Sequence, residues 1–209
     1  MLPNKFIKEL LESYLSQDDK ITLSPLPSKL KSLYRDSSTL PDPTIYRQFV
    51  GKLNFLLHTW PDIAFTTQFL SQFNVKRCQV HLDAAIHVLK YLKGTMYQGI
   101  FLNNTNNFKI EAFCDSDWAA CPSTRRSVSG YFITMGGSPI SWKSKKQATI
   151  SLSSAEAKYR LMRRVCSELA WLSKLLAEFN VSKITPIPLM CDNMAAIHIA
   201  KNLAFHERD

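Results

Sequence analysis

Two spacings of apolar residues follow one another along this chain, and they divide it. Up to Gly94 the spacing is helical. Phe6, Leu10, Leu11 and Tyr14 predict an amphipathic helix over 4–16, a short element whose apolar stripe reads as packing onto something outside this chain. From Asp18 to Pro43 the chain turns polar and is punctuated by Pro25, Pro27, Pro41 and Pro43, as expected of a linker or an extended covering segment. Helical spacing returns over 44–58, again from Pro61, where proline suits the first turn, and over 80–93, where Gly94 suits the C-terminal stop. In the last of these, Leu82, Ala85, Ile86, Leu89 and Leu92 form the expected buried stripe, with Lys90 and Lys93 outside. His81 and His87 lie six residues apart, which does not place both on one helix face for a metal; hydrogen-bonded or solvated histidines are expected.

Beyond a short strand expected near 99–102 and the Asn-rich turn NNTNN, the period changes to two. Ile110, Ala112 and Cys114 alternate with Glu111, Phe113 and Asp115. Segments 131–135 and 140–145 read as a hairpin around Gly136 and Gly137. A long helix over 155–179 follows, with Ala155, Tyr159, Met162, Cys166, Leu169, Leu172 and Leu176 expected on its buried face. A short strand ending at Cys191 and a helix over 194–201 complete the pattern. The order β, β, β, α, β, α predicts an α/β unit over 105–209, preceded by a mainly helical unit over 1–104.

The candidate chemistry lies where these elements end. The strand KIEAFCDSDW runs into Asp115 and Asp117, which share parity, so alternation does not choose between them. Glu156 lies at the start of the long helix and Asp192 follows the last strand. Hard oxygen ligands gathered at strand ends suit Mg2+ or Mn2+ rather than zinc, and two such ions about 4 Å apart suit phosphoryl hydrolysis. Each residue also has a structural reading. Ser153 and Glu156 fit a capping box, Asp192 or Asn193 fits an N-cap, and the two aspartates fit a solvated strand end.

Charge adds a partner class. Twenty-six Lys plus Arg against 17 Asp plus Glu leave a net charge of +9, which favours a polyanion such as nucleic acid. Arg125 and Arg126 in one loop, with Lys143, Lys145 and Lys146 in the next strand, are the candidate phosphate contacts; as an alternative, lysines on an edge strand discourage aggregation. Five cysteines without a C-x-x-C spacing argue against a disulfide framework or zinc knuckle, and Cys114, Cys166 and Cys191 read as small core residues in a reducing compartment. There is no apolar run of membrane-spanning length and no recognisable secretion signal, so no membrane partner is expected and the location reads as cytoplasmic or nuclear.

The runs CDSDWAACPSTRRSVSGYFITMGGSPISWKSKKQATISLSSAEAKY and CDNMAAIHIAKNLAFHER resemble the ribonuclease H domain of copia-type LTR retrotransposon Pol polyproteins. Upstream, YRQFVGKLNFLLHTWPDIAF and HLDAAIHVLKYLKGT are similar to the segment joining reverse transcriptase to that domain. The resemblance implies a ribonuclease H-like fold, a mixed sheet flanked by helices, preceded by a mainly helical reverse-transcriptase connection segment. It implies Mg2+- or Mn2+-dependent cutting of the RNA strand of RNA·DNA hybrids by two ions, with Asp115, Glu156 and Asp192 as metal ligands and Asp117 in reserve. The rest of a Pol polyprotein is the implied protein partner.

Departures from the family pattern qualify that activity. Lys158 stands where the family commonly has glutamate, and Ala120 where it commonly has glycine. The family continues past the HER motif to a fourth metal-site aspartate, and this sequence stops at Asp209. The polymerase motif Y-x-D-D is absent. The expectation is a Pol fragment, truncated in its ribonuclease H-like domain, whose cleavage is weakened or lost; the alternative is a catalytically inactive remnant that binds nucleic acid.

Overall fold

The computed structural model describes residues 4–28, 38–75, 77–104, 106–181 and 185–202. Two compact units divide the chain, residues 1–100 and 101–209. The first is helical among its described residues: α1 (Asn4–Tyr14), α2 (Pro43–Leu56), a 3-10 turn (Pro61–Ile63), α3 (Ala64–Ser71) and α4 (Gln79–Thr95). Asp42 starts α2 by accepting a 2.7 Å bond from the Thr44 amide, which satisfies one of the helix's orphan donors. Tyr46, Phe49, Leu53, Leu56, Leu70, Leu89 and Leu92 are sealed from water in one cluster. Each such side chain contributes roughly 1.5–3 kcal/mol by leaving water. The one polar tip among them, the Tyr46 hydroxyl, donates to the Leu70 carbonyl at 2.8 Å.

Several expectations for this unit are corrected. Helix α1 packs within its own unit: Ile7 and Leu10 are buried in the same cluster, and the Phe6–Phe55 and Tyr14–Phe49 rings meet edge-on at 5.1 and 5.0 Å. The stripe of α4 is turned from the expected one, with Ala84 and Val88 buried beside Ala85, Leu89 and Leu92, while Leu82 and Ile86 are half-buried. Gly94 lies inside the last turn of α4, where a Cβ would stand 3.5 Å from Ile21. Residues 99–102 form no strand. His81 is buried, accepts a bond from the Cys78 amide at 2.9 Å and stacks on Phe73 at 4.0 Å; His87 contacts the Ser24 carbonyl.

The second unit is a four-stranded mixed sheet with helices: β1 (Ile110–Asp117), β2 (Val128–Met135), β3 (Ser138–Lys146), α5 (Ser154–Glu178), β4 (Leu189–Met190) and α6 (Met194–Lys201). The strand order is β3-β2-β1-β4, antiparallel except for the parallel β1–β4 pair. Alternation in β1 is realised residue by residue, with Ile110, Ala112, Cys114 and Ser116 buried. Gly136 and Gly137 close the β2–β3 hairpin at φ of 57° and 82°, the conformation a two-residue hairpin turn demands. Gly136 is doubly constrained, because a Cβ there would lie 2.2 Å from the Asn107 carbonyl oxygen.

Helix α5 covers one face of the sheet. Its Leu161, Val165, Leu169 and Leu172 pack with Ile110, Ala112 and Cys114 of β1 and with Tyr131 and Ile133 of β2. This stripe also differs from the expected one: Ala157, Leu161 and Val165 point inward, and Cys166 is exposed rather than a core residue. On the strands' other parity, Met190, Phe113, Phe132 and Trp142 fall in one register row, and Phe113 is exposed.

Candidate functional site

Pairing of β1 with β4 is what builds the site. The parallel register sets Ala112 against Leu189 and Phe113 against Met190, and the chain leaving β4 carries Cys191 to Cys114 and Asp192 to the same ammonium as Asp115. Neighbouring strands lie about 4.8 Å apart. Asn193, not Asp192, caps α6, accepting from the Ala196 amide at 2.8 Å, which leaves the Asp192 carboxylate unused by the helix. Just beneath, the Cys114 thiol donates to the Met190 carbonyl, and burial, the Cys191 thiol and the Asp115 charge push its pKa up to about 12. It is a packed thiol rather than a nucleophile.

Between the two carboxylates sits a side chain that no motif reading had assigned to the site. The Lys158 ammonium lies 2.9 Å from Asp115 Oδ1 and is also bonded to Asp192 Oδ1. The Lys158 side chain is 12% exposed, whereas the two aspartates are largely open. Burial disfavours the ammonium, but hydrogen bonds and charge from Asp192 and Asp115 outweigh it and hold Lys158 above the usual lysine range. The same contact holds the Asp192 carboxyl below its ordinary value, against a smaller effect of burial.

Glu156 is employed elsewhere. Ser153 caps α5 by accepting from the Glu156 amide at 3.1 Å, and Glu156 Oε2 accepts from the Leu152 amide at 2.6 Å. Its Oε1 pairs with Arg160 one turn on, at 2.7 Å. The capping arrangement is therefore present, with the return bond going to the residue before the cap. Asp117 ends β1 opposite Val128, two residues past Asp115. Gln147 ties the start of α5 to the sheet: its amide donates to Ser129 Oγ at 2.9 Å and to the Ala157 carbonyl at 2.8 Å, and its oxygen accepts from Ser151. Sequence reasoning missed both Lys158 and Gln147 as parts of the site. For Lys158 a signal was present in its departure from the family glutamate; for Gln147 there was none.

Comparison with known proteins gives this geometry a context. The chain is 39% identical over 199 residues, 93% of its length, to the retrovirus-related Pol polyprotein from transposon RE1 of Arabidopsis thaliana. It is 38% identical over 189 residues to the corresponding polyprotein from transposon RE2 of the same plant. It spans 14% and 13% of those two relatives. An uncharacterized mitochondrial protein of Arabidopsis thaliana is 37% identical over 169 residues, and the match covers 70% of that protein. Over nearly its whole length the chain is homologous to segments of copia-type retrotransposon Pol polyproteins. No family model matches it, and no solved structure does.

In this Pol-related chain the residues present do not fit a pair of divalent ions. Asp115 and Asp192 already share an ammonium, Glu156 is turned to Leu152 and Arg160, and among the described residues no three His, Cys, Asp or Glu side chains are arranged so that they could hold a metal ion. Cationic side chains do gather on the same unit. Lys143 and Lys145 are exposed on β3, and Lys146 reaches Cys121 Sγ at 3.6 Å. Cys121 in turn holds the loop bearing Arg125 and Arg126 through bonds to both residues' backbones. A cleft of about 200 Å³ against α5 is lined by Lys145, Arg160 and Arg164 together with Ser129, Gln147 and Thr149. Its chemistry suits an anion. No described helix is long and apolar enough to cross a membrane.

Proposed function

We propose that residues 101–209 are a ribonuclease H-like domain of a retrotransposon Pol chain, and that this domain holds an RNA·DNA hybrid without Mg2+-dependent cleavage of it. Residues 1–100 are then the connection that joins it to a reverse transcriptase. The observation that carries the choice of binding over cutting is the Lys158 ammonium seated between Asp115 and Asp192. Likeness to Pol polyproteins and the β3-β2-β1-β4 sheet with α5 across it support the fold assignment. Arg125, Arg126, Lys143, Lys145 and Lys146 are the proposed phosphate contacts, and the cleft with Lys145, Arg160 and Arg164 is the proposed grip on one backbone phosphate. Such contacts track backbone and groove shape rather than base sequence.

Fluorescence anisotropy with a labelled hybrid, run in parallel with a gel assay for cleavage in Mg2+, tests the reading. Binding is expected to weaken steeply as salt rises, and Lys145→Ala with Arg164→Ala is expected to weaken it further and flatten the salt slope by about 2. No cleavage is expected. Absence of binding at low salt would refute the binding half of the reading, and Mg2+-dependent cutting that disappears in Asp115→Asn would refute the other half.

A further inference from the structure

Lys158 differs from the other lysines of this unit in what it touches. Its side chain is nearly covered, and its ammonium is bonded to one carboxylate of β1 and to another just beyond β4. A cation that bridges two carboxylates does what a divalent metal does at such a junction. It offsets their mutual repulsion and fixes their separation.

We propose that the Lys158 ammonium is a built-in counter-ion that takes the place of a divalent cation at the Asp115–Asp192 pair, with Glu156 outside that site. The proposal deepens the reading of the same site given above. Helix geometry accounts for the place of Glu156. Consecutive residues on a helix are turned by about 100°, so positions 156 and 158 point about 200° apart and do not both address one pair of strand ends. Glu156 confirms its direction by its partners, the Leu152 amide and Arg160.

Side-chain length predicts what would restore a metal. A glutamate at 158 would place its carboxylate one bond short of the ammonium's position. With a small rotamer adjustment, that leaves roughly the 2.0–2.6 Å that hard cations keep from oxygen ligands. The lysine also has an advantage over a free ion, since it is tethered and present at a high effective concentration. A divalent ion entering the unaltered site would have to leave a covered ammonium without its partners, which is costly.

Isothermal calorimetry with Mn2+ on the full chain tests this. The unaltered protein is expected to show no saturable binding at the carboxylate pair. Lys158→Glu is expected to bind one ion at least about tenfold more tightly than the unaltered protein, and Lys158→Met to fall between them, in line with ligand charge count. Adding Glu156→Gln to Lys158→Glu should preserve the gain, and adding Asp115→Asn should remove it. The proposal is overturned by unaltered protein that binds Mn2+ as tightly as Lys158→Glu, or by loss of the gain on Glu156→Gln. A folded Lys158→Glu and a folded Lys158→Met that both gain nothing also overturn it, with folding checked by circular dichroism. Hybrid binding measured on the same samples in a chelator keeps the two claims apart. A Mn2+ gain without hybrid binding sinks the nucleic-acid reading alone; hybrid binding without any Mn2+ gain sinks this one alone.

Discussion

The two units use hydrophobic residues differently. In residues 1–100, leucine and aromatic side chains from all four helices close over one another, and some of the polar atoms drawn in are satisfied, as with Tyr46 on Leu70 and His81 on Cys78, while Thr67 Oγ1, Gln68 Oε1 and Asn74 Oδ1 are buried without a hydrogen-bond partner. In residues 101–209, the apolar cluster lies between one helix and one face of a sheet, and the strand ends carry charge. The first unit is a packing solution, and among its described residues no group of His, Cys, Asp or Glu could hold a metal ion. The second holds its carboxylates at a point where backbone pairing alone brings two strands into register. A parallel β1–β4 contact of only two residue pairs is enough to set them together.

The largest test of that contrast is Leu53→Ala. Leu53 is fully sealed in the helical cluster, and its truncation removes apolar burial and leaves a cavity, at a cost of about 2–5 kcal/mol. Amide exchange read peptide by peptide should show protection falling across α2 and α4. If protection there is unchanged, the unit is not the tightly closed core described above.

Gly136→Ala comes next and strikes the second unit at its turn. Positive φ costs a non-glycine residue about 1–3 kcal/mol, and here the new Cβ also meets the Asn107 carbonyl. Gly137→Ala shares the φ penalty but meets nothing within 4 Å, so it should cost less. Thermal melts of the two variants compare them directly. Equal losses would mean that the approach of residue 107 to the turn contributes nothing.

How much of this was legible in the sequence follows from the same physics. Alternation named β1 correctly because one face of that strand is buried and the other is not, so polarity tracks geometry at every step. Helix α5 was placed but its phase was not. Its sequence RLMRRVCSELAWLSKLL carries apolar residues on more than one face, so Leu161–Val165 and Met162–Cys166 are equally good stripes until the sheet selects one. That phase decides which of residues 156 and 158 faces Asp115 and Asp192, and helical periodicity alone left it open. The grouping of Asp115 with Asp192 was read from their places at strand ends and again from family likeness, whereas the ammonium between them follows from side-chain placement.

The smallest effect compares two lysine–aspartate contacts, one in each unit. Asp19 pairs with Lys90 at 2.8 Å and accepts from the Ser16 amide at 2.9 Å. The Lys90 contact first, and then Ser16, lower its carboxyl from 3.8 to about 2. A folded-state value below the unfolded one means that the carboxylate form favours folding above the ordinary value. That contribution fades as pH falls through about 4 toward 2. Asp19→Asn should therefore remove part of the acid sensitivity of residues 16–19 and α4 in amide exchange. The change should be slight, because the pair is exposed to solvent and salt. Asp192→Asn should act in the same direction in the second unit, since Lys158 also lowers that carboxyl. If Asp19→Asn leaves the acid profile of the first unit unaltered, the Lys90 contact does not contribute to its stability.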